Sequence, residues 1–445
     1  GALLAIPALR VEGPYLAMIT IAFALVVHHG LVEWRGLTGG ANGLMGIPMP
    51  QLGDMDPAVL MALLASLLMG ASLLFYQRLR SSGWGTAMRA VKDSEIAARS
   101  LGFNPVQTKT LAFGLSALLT GLAGSLVAPL MMFINPASFP FSQSILFVLA
   151  VIVGGAGSIL GPVLGALLIV LLPEMLSDMA EYRLLIFSGL LLGVLWIAPR
   201  GLLGTAARLW VRPQNLQAPA TPDMERIREF IARPANSAAL EVNGIGINFG
   251  GVQAAANVSL TARPGSITSI IGPNGAGKTT ALNMISGSYA PDSGTVTLEQ
   301  ELAGLPAWKV SRAGIARTYQ TTQLFGELSV LDNVLAGMQR GRLGRILSAA
   351  SSAERDIAMQ LLALVGYQGS VNTAADELPH VDRRLVEIAR ALASRPAVLL
   401  LDEPAAGLSR SDTDQLAALF RQLAGFNIAV MLVEHDMTLV MGVSD

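Results

Sequence analysis

The sequence has 445 residues, of which 52% are hydrophobic and 14% are charged, so it is too long for one ordinary domain and too apolar for a purely soluble protein. Its 30 lysines and arginines balance 31 aspartates and glutamates without a basic block, which excludes nucleic acid as a partner. The absence of cysteine excludes disulfides, thiolate metal sites and a cysteine nucleophile.

Apolar stretches close to the roughly 20 residues that a membrane-spanning helix needs fill the chain up to about residue 200 and are absent afterwards. We predict about six spans, at 15–31, 57–76, 110–132, 143–155, 160–173 and 184–199, with residues 1–9 as the end of a further one. Gly1 leads directly into apolar sequence, without the charged start and cleavage site of a secretory signal. We therefore expect the sequence to lack the N-terminal part of this membrane domain.

The distribution of charge orients these spans. Basic residues collect between 77 and 109 and after the last span, and acidic residues fall in the alternate loops, so the positive-inside rule places the basic side in the cytoplasm. The chain then returns to the cytoplasm after residue 199. Breaks rich in glycine and proline, such as 39–43 and 154–157, fit either a solute pathway or close helix packing.

The composition changes after the last span. Residues 213–239 contain four prolines and small polar residues, with a charged stretch at 223–233 that favours a short helix. From residue 240, β-rich runs at 266–271, 398–401 and 428–433 alternate with helical runs, which predicts a parallel α/β sheet. We predict an all-α polytopic membrane domain at 1–203, a linker at 204–239 and an α/β domain at 240–445.

A glycine-rich loop lies between a predicted strand and a predicted helix and fits the phosphate-binding loop pattern. Its glycines let backbone N–H groups face phosphates, and the helix N-terminus adds the positive end of its dipole. Lys278 would reach the β- and γ-phosphates, and Thr279 would offer its hydroxyl to Mg²⁺. The candidate nucleotide-binding residues of this loop are Gly272, Pro273, Asn274, Gly275, Ala276, Gly277, Lys278, Thr279 and Thr280.

Two adjacent carboxylates follow the apolar run 397–401. Asp402 is suited to hold the magnesium shell, and Glu403 to act as general base on the attacking water. The C-terminal ends of parallel strands are where open α/β sheets bind ligands. We therefore predict ATP and Mg²⁺ as the ligands of this domain, with Glu403 as a catalytic residue.

Gln320 lies in the stretch 316–320, and His435 follows another apolar run. The order and spacing of loop, glutamine, Asp-Glu pair and histidine resemble the nucleotide-binding domain of ABC transporters, which is an α/β P-loop NTPase fold. The resemblance covers 240–445 and implies that Gln320 senses the γ-phosphate and magnesium and contacts the membrane part, and that His435 acts as a γ-phosphate switch. It also matches Phe249 to an aromatic residue that stacks on adenine, for which core filler is the alternative.

One stretch departs from that family. The family signature, Leu-Ser-Gly-Gly-Gln, should precede the helix predicted at 383–394, but this sequence has Leu378, Pro379, His380, Val381 and Asp382 there. In the family, the signature of one domain contacts the γ-phosphate held by a second domain. Proline lacks an N–H and valine adds a branched side chain, so we expect the site completed by this stretch to be weak or inactive. His380 retains a donor for phosphate, which leaves that expectation open.

The membrane half resembles the permease subunits of bacterial branched-chain amino acid importers. The matching stretches are 13–17, 37–44, 87–93, 96–98 and 153–158. The stretch 87–98 is where such importers place the coupling helix that docks on the ATPase. A loop held by lipid head groups through Arg89 and Lys92 is the alternative. In the ATPase half, 316–320 and 402–408 are similar to the same subclass.

Together the resemblances imply a permease fused to an ATP-binding subunit, in a bacterial inner membrane with its ATPase domain in the cytoplasm. The implied function is ATP-driven import of small, branched-chain amino acids, with urea, short amides or a transport-inactive ATP-binding module as alternatives. The implied partners are a second permease subunit, a second ATP-binding subunit, an extracytoplasmic solute-binding protein and membrane lipid. Because the chain ends soon after His435, we expect the last elements of the ATPase domain to be missing.

Overall fold

The computed structural model describes residues 14–175, 182, 188–189, 192–194, 196–198, 201–210, 216–234 and 236–444. The chain divides into two compact units, Gly1–Arg78 with Thr110–Pro213, and Leu79–Lys109 with Gln214–Asp445. The second unit therefore includes a segment that lies, in sequence, between two apolar helices of the first. The sequence-based domain boundaries at 203 and 239 remain a proposal. They assign Leu79–Lys109 to the permease domain.

The N-terminal part of the described chain is helical. Its helices are α1 (Pro14–Glu33), α2 (Arg35–Thr38), α3 (Pro57–Arg80), α4 (Gly83–Asp93), α5 (Glu95–Ser100), α6 (Pro105–Met131), α7 (Phe141–Gly154), α8 (Gly161–Met175) and α9 (Leu202–Trp210). Two short strands, β1 (Leu44–Met45) and β2 (Phe133–Ile134), pair antiparallel. Helices α4 and α5 belong to the second unit.

Within the described residues, three stretches are long and apolar enough to cross a membrane by length and composition, namely Pro57–Arg80, Pro105–Met131 and Pro136–Gly154. Met18–Glu33 and Gly161–Met175 are shorter apolar helices. The spans predicted at 15–31, 57–76, 110–132, 143–155 and 160–173 each coincide with one of these five. Residues 1–9 lie outside the described residues, and half of 184–199 does too.

The glycine-rich break between α7 and α8 is a site of close packing. A Cβ atom on Gly154 would lie 1.7 Å from the carbonyl oxygen of Gly161, and one on Gly165 would lie 1.8 Å from the carbonyl oxygen of Ala150. Only residues without a Cβ allow the two helices to approach this closely. Of the two interpretations of 154–157, the structure therefore favours helix packing.

The second unit contains two four-stranded sheets. Its strands are β3 (Leu240–Phe249), β4 (Val252–Ala262), β5 (Ile267–Ile270), β6 (Ser293–Leu298), β7 (Gln300–Glu301), β8 (Ile315–Arg317), β9 (Val398–Asp402) and β10 (Ala429–Val433). One sheet is parallel, in the order β5-β10-β9-β8, and contains all three strands predicted from the sequence. The other sheet, in the order β4-β3-β6-β7, is antiparallel, and the sequence patterns did not predict it.

Helices pack around the parallel sheet. They are α10 (Met224–Ile231), α11 (Lys278–Ile285), α12 (Ala307–Arg312), α13 (Val330–Met338), α14 (Ser352–Leu364), α15 (His380–Ala393), α16 (Arg410–Ala424) and α17 (Met437–Val443). Strand β9 is buried along its whole length, and its successive residues alternate between two apolar clusters on opposite faces. This two-sided burial explains why β9 and β10 appear in the sequence as uninterrupted apolar runs.

The described part of the predicted linker from residue 216 onward packs within the second unit. The predicted short helix is present as α10, and Ile227 and Ile231 on it are each only 1% exposed. Arg226 forms an ion pair with Asp356 on α14. Beyond the helix, the amide of Arg233 donates to the carbonyl oxygen of Phe426 at 2.9 Å. The part 216–234 is therefore an ordered element of the second unit rather than a free tether.

Candidate nucleotide site

Parallel pairing brings the predicted site residues to one edge of the sheet. Val433 of β10 is in register with Ile270 of β5 on one side and with Asp402 of β9 on the other. The phosphate loop follows β5, His435 follows β10, and the Asp-Glu pair lies at the end of β9. Arg317 of β8 pairs with Leu400 of β9, so the chain leading to Gln320 leaves the same edge. Four separate stretches of sequence thus meet at the carboxyl ends of parallel strands.

The phosphate loop ends where α11 begins at Lys278, and its shape requires glycine at Gly277. Gly277 has φ +85°, and a Cβ atom there would lie 2.5 Å from the carbonyl oxygen of Ala254. The side chain of Lys278 is 7% exposed, and its Nζ donates to the carbonyl oxygens of Gly272 and Pro273 at 2.7 and 3.0 Å. Two neutral carbonyl acceptors therefore hold the lysine ammonium across the loop. A bound phosphate would replace them with a charged acceptor, which forms a stronger hydrogen bond.

Asp402 is buried beside Thr279 and Arg317. The hydroxyl of Thr279 lies 3.4 Å from Asp402 Oδ1, and an Nη of Arg317 lies 2.9 Å from Oδ2. Arg317 also donates to Asn283 Oδ1 at 2.6 Å and to Ser286 Oγ at 2.9 Å on α11. It thus compensates the buried charge of Asp402 and ties β8 to the helix behind the phosphate loop. The sequence analysis did not assign this role to Arg317.

Glu403 lies at the start of the loop after β9 with a left-handed backbone, φ +46°. A residue with a side chain adopts this region at a cost of about 1 kcal/mol or more, and such residues cluster at functional sites. Its amide donates to the carbonyl oxygen of Val433 at 2.9 Å, and its carboxylate accepts from the side-chain amide of Gln320 at 2.8 Å. The structure therefore brings the predicted base and the predicted sensor glutamine into direct contact.

His435 follows β10 and keeps an exposed side chain, 59% of which is accessible. Its backbone amide donates to the carboxylate of Glu434 at 3.1 Å. Glu434 is buried and also accepts from the amide of Ala405 at 2.9 Å, in the loop that follows Glu403. Glu434 thereby joins the histidine stretch to the loop of the predicted base. Glu434 directly precedes His435, but the sequence alone did not distinguish it from its neighbours.

Phe249 ends β3 and is 45% exposed, so it is not buried core filler. Its ring packs edge-on against Tyr289, with ring centroids 5.2 Å apart. The neighbouring strand β4 carries Ala254, whose carbonyl oxygen faces Gly277 of the phosphate loop. Tyr289, which the sequence analysis missed, supplies a second aromatic ring at this surface.

We expect Phe249→Ala to weaken ATP binding about threefold to tenfold, because one aromatic contact contributes roughly 0.5–1.5 kcal/mol. Titration of the purified chain with a fluorescent ATP analogue would measure this. Val252→Ala is the matched control, since Val252 is also exposed on the same hairpin. An unchanged affinity for Phe249→Ala would contradict the stacking role.

The departing signature stretch leads into α15, which begins at His380 instead of the predicted 383. Pro379 occupies the N-cap position and makes no side-chain cap hydrogen bond. Burial raises the pKa of the Asp382 carboxyl above its ordinary value. A Cβ atom on Gly407, in the loop after Glu403, would lie 3.9 Å from His380 Cε1. The stretch is therefore a helix N-terminus beside the loop of the predicted base.

The predicted coupling segment, α4 and α5, packs against the loop that follows Gln320. Its alanines are fully buried with Phe325 and Leu328. The hydroxyl of Ser94 donates to Gln323 Oε1 at 3.1 Å, and Lys92 pairs with Glu327 at 2.9 Å. Lys92, one of the two residues in the lipid alternative, is therefore engaged by protein. The contacts run through Gln323 and its successors, whereas the side chain of Gln320 lies on Glu403.

The residues at the sheet edge fit a magnesium nucleotide. The hydroxyl of Thr279 and the carboxylate of Asp402 converge as oxygen donors, and Gln320 lies on the adjacent Glu403. Among the described residues, no group of three or more His, Cys, Asp or Glu side chains could hold a metal alone. This agrees with the usual behaviour of Mg²⁺, which binds one or two protein oxygens together with substrate phosphates.

Comparison with known proteins identifies both parts of the chain. The ABC transporter family matches residues 255–406, and the family described as branched-chain amino acid transport system, permease component, matches residues 1–198. The ATP-binding protein LivG of Salmonella typhimurium, named for high-affinity branched-chain amino acid transport, is 42% identical over 217 residues, which are 46% of this chain and 85% of LivG. The chain belongs to the ABC transporter family.

The permease part has its own relative. The permease protein LivM of Salmonella typhimurium, from a high-affinity branched-chain amino acid transport system, is 35% identical over 228 residues, 46% of this chain and 54% of LivM. The chain thus spans about half the length of that permease. A solved nucleotide-free ATP-binding cassette from an ABC transporter is 28% identical over 47% of this chain and 85% of its own, with a TM-score of 0.42.

This ABC transporter chain therefore fuses a permease part and an ATPase part of the branched-chain amino acid transport type. It is a multi-pass inner membrane protein with its ATPase domain in the cytoplasm. The ATPase domain binds nucleotide and couples ATP hydrolysis to transport, in a complex with other transporter subunits.

Proposed function

We propose that this chain is one half of an importer that uses ATP to carry branched-chain amino acids into the cell. The observation that carries the proposal is the arrangement of one loop, residues 320–327. Gln320 at its start touches Glu403, and Gln323 to Glu327 contact the segment Leu79–Lys109, which joins two apolar helices of the permease. The site of hydrolysis and the permease segment are thereby linked through a few residues.

The proposed chemistry assigns a role to each group at the sheet edge. Lys278 and the loop amides bind the β- and γ-phosphates of ATP, and Glu403 accepts the proton of the attacking water. Gln320 orients the carboxylate of Glu403, and His435 meets the γ-phosphate from the next strand end. Thr279 and Asp402 would hold Mg²⁺, which when bound supplies charge neutralisation to the phosphate oxygens.

The proposed complex contains a second permease, a second ATP-binding subunit and an extracytoplasmic solute-binding protein, in contact with membrane lipid. Closure of two ATPase domains on ATP would draw the coupling segments together and switch the permease from an inward-facing to an outward-facing conformation. ATP drives this change only if it binds the closed form more tightly than the open one. The names of LivG and LivM support branched-chain amino acids as the solute.

A solute panel tests the proposal. The chain is reconstituted in liposomes with its partner subunits and binding protein, and ATP hydrolysis is measured with leucine, isoleucine, valine, urea and acetamide. We expect severalfold stimulation by the three amino acids only. Stimulation by urea or acetamide instead would reassign the solute, and no stimulation by any solute would identify a transport-inactive module. Lys278→Ala, which removes the phosphate-binding ammonium, is the background control.

A further inference from the structure

Three charged residues of α15 are buried together, although they lie outside every motif considered above. Arg384, Glu387 and Arg390 are exposed by only 0%, 1% and 2%. Glu387 lies 3.3 Å from an Nη of Arg384 and 3.8 Å from an Nη of Arg390. They are spaced three residues apart, so they share one face of the helix. We call this group the α15 clamp.

The α15 clamp binds the backbone of the loop that carries Gln320. Arg384 donates to the carbonyl oxygens of Tyr319 and Gln320, the latter at 2.9 Å. Glu387 accepts from the amide of Gln323 at 2.9 Å, and Arg390 donates to the carbonyl oxygen of Gln323 at 2.6 Å. Because these hydrogen bonds are buried and involve charged side chains, breaking one leaves a buried donor or acceptor unsatisfied, which is costly.

The same loop touches the proposed base at one end and the coupling segment at the other. The side chain of Gln320 donates to Glu403, and Gln323 accepts from Ser94 of the coupling segment. Arg390 also lies over the ring of Phe325, 4.9 Å from its centroid, and this ring packs in the apolar cluster of α4 and α5. The α15 clamp therefore holds the loop backbone at Tyr319 and Gln320, beside the contact with Glu403, and at Gln323, beside the contact with the coupling segment.

We propose that Arg384, Glu387 and Arg390 are positioning residues that make the loop 319–325 move as one body with α15, so that a displacement of the coupling segment reaches Gln320 and Glu403. This inference rests on the function proposed above. A loop held only by exposed hydrogen bonds would absorb the displacement by exchanging partners with water. The three charges of the α15 clamp are instead buried, and the hydrogen-bond partners found for them among the described residues lie on the loop or within the clamp itself.

Arg384→Lys is the decisive substitution. Lysine keeps the positive charge but replaces the planar fork with a single ammonium on a flexible stem, which cannot hold two carbonyl oxygens in fixed positions. We expect the KM for ATP to stay within twofold, because the phosphate loop is untouched. The stimulation of hydrolysis by solute should fall at least fivefold, and the amides of Gln320 and Gln323 should exchange hydrogen faster in the whole chain.

Arg421→Lys is the matched control, because Arg421 also donates to a backbone carbonyl oxygen, that of Gly442, but contacts no part of the loop. If Arg384→Lys does not fold, Arg390→Lys takes its place, since this change alters the contacts with Gln323, Glu387 and Phe325 but keeps both hydrogen bonds from Arg384 to the loop. Loss of basal and stimulated hydrolysis in equal proportion, or an unchanged stimulation ratio, would overturn the inference. Hydrogen exchange needs no solute, so unchanged exchange overturns it even where the unsubstituted chain shows no stimulation and the proposed function itself fails.

Discussion

Glu403→Gln is expected to lower ATP hydrolysis at the site of this chain by about 100-fold to 10,000-fold, the usual contribution of a general base. Glutamine keeps the shape of the side chain but cannot accept the proton of the attacking water. The phosphate loop and Lys278 remain intact, so the chain should still bind ATP and should accumulate in the closed, ATP-bound state. Single-turnover hydrolysis and retention of labelled ATP by the reconstituted complex would measure both effects.

Glu225→Gln is the matched control for this prediction, since Glu225 is exposed on α10 and takes no part in the site. It should leave both rates unchanged. Unchanged turnover in Glu403→Gln would refute the assignment of the base. Loss of ATP binding would instead indicate that the contact between Gln320 and Glu403 maintains the site as a whole.

Restoring the family signature is expected to raise hydrolysis at the opposite site about tenfold or more. The change is Pro379→Ser, His380→Gly, Val381→Gly and Asp382→Gln in one chain. It returns a hydroxyl and an additional backbone N–H, and removes the Cβ atoms that prevent close approach to the γ-phosphate. A hydrogen bond to a charged group contributes roughly 1.5–3 kcal/mol, which corresponds to at least a tenfold change in rate.

The measurement is made with Glu403→Gln also present, so that only the site built on the partner's phosphate loop hydrolyses ATP. Turnover that does not rise would show that the stretch 378–382 is not what limits this site. His380→Ala in the original sequence tests whether this histidine donates a hydrogen bond to phosphate. A further loss of turnover would assign the histidine as a phosphate donor, whereas no change would leave it without that role.

We expect the two ATP sites of the complex, one on the phosphate loop of this chain and one on that of its partner, to have unequal activity. The edge formed by Lys278, Asp402 and Glu403 is complete, with Arg317 and Gln320 holding the carboxylates in place. The N-terminus of α15 has no side-chain cap and begins with the departing residues. We therefore expect the site on this chain to hydrolyse ATP when the partner supplies an intact signature, and the reciprocal site to be slow.

The candidate nucleotide site could be proposed from the sequence because each motif is contiguous. The phosphate loop is recognised locally, from glycines between a predicted strand and a predicted helix. The uninterrupted apolar run of β9 marks a buried strand, and Asp402 and Glu403 come at its end. The parallel pairing of β5, β9 and β10 then follows from the pattern of alternating strands and helices. The antiparallel sheet was missed because β3 pairs with β4 through several register shifts, which break the regular alternation of a strand.

Other residues could not be predicted because their partners are remote in sequence. Arg317 reaches Asp402 across 85 positions, and Arg384 reaches Gln320 across 64. Each arginine alone resembles an ordinary surface residue of a strand end or helix, since burial of a charge depends on what the rest of the fold places over it. The α15 clamp therefore has no local signature beyond its spacing along one helix.

The coupling segment shows most clearly which features follow from the sequence and which depend on the tertiary structure. The sequence by itself indicated that residues 77–109, between two apolar stretches, are basic and lie on the cytoplasmic side, because hydropathy and charge can be read residue by residue. Only the tertiary structure decided that Leu79–Lys109 packs as part of the ATPase unit, with its alanines buried against Phe325. That choice depends on shape and on buried area, which arise from residues more than 200 positions apart and are not encoded in any one stretch.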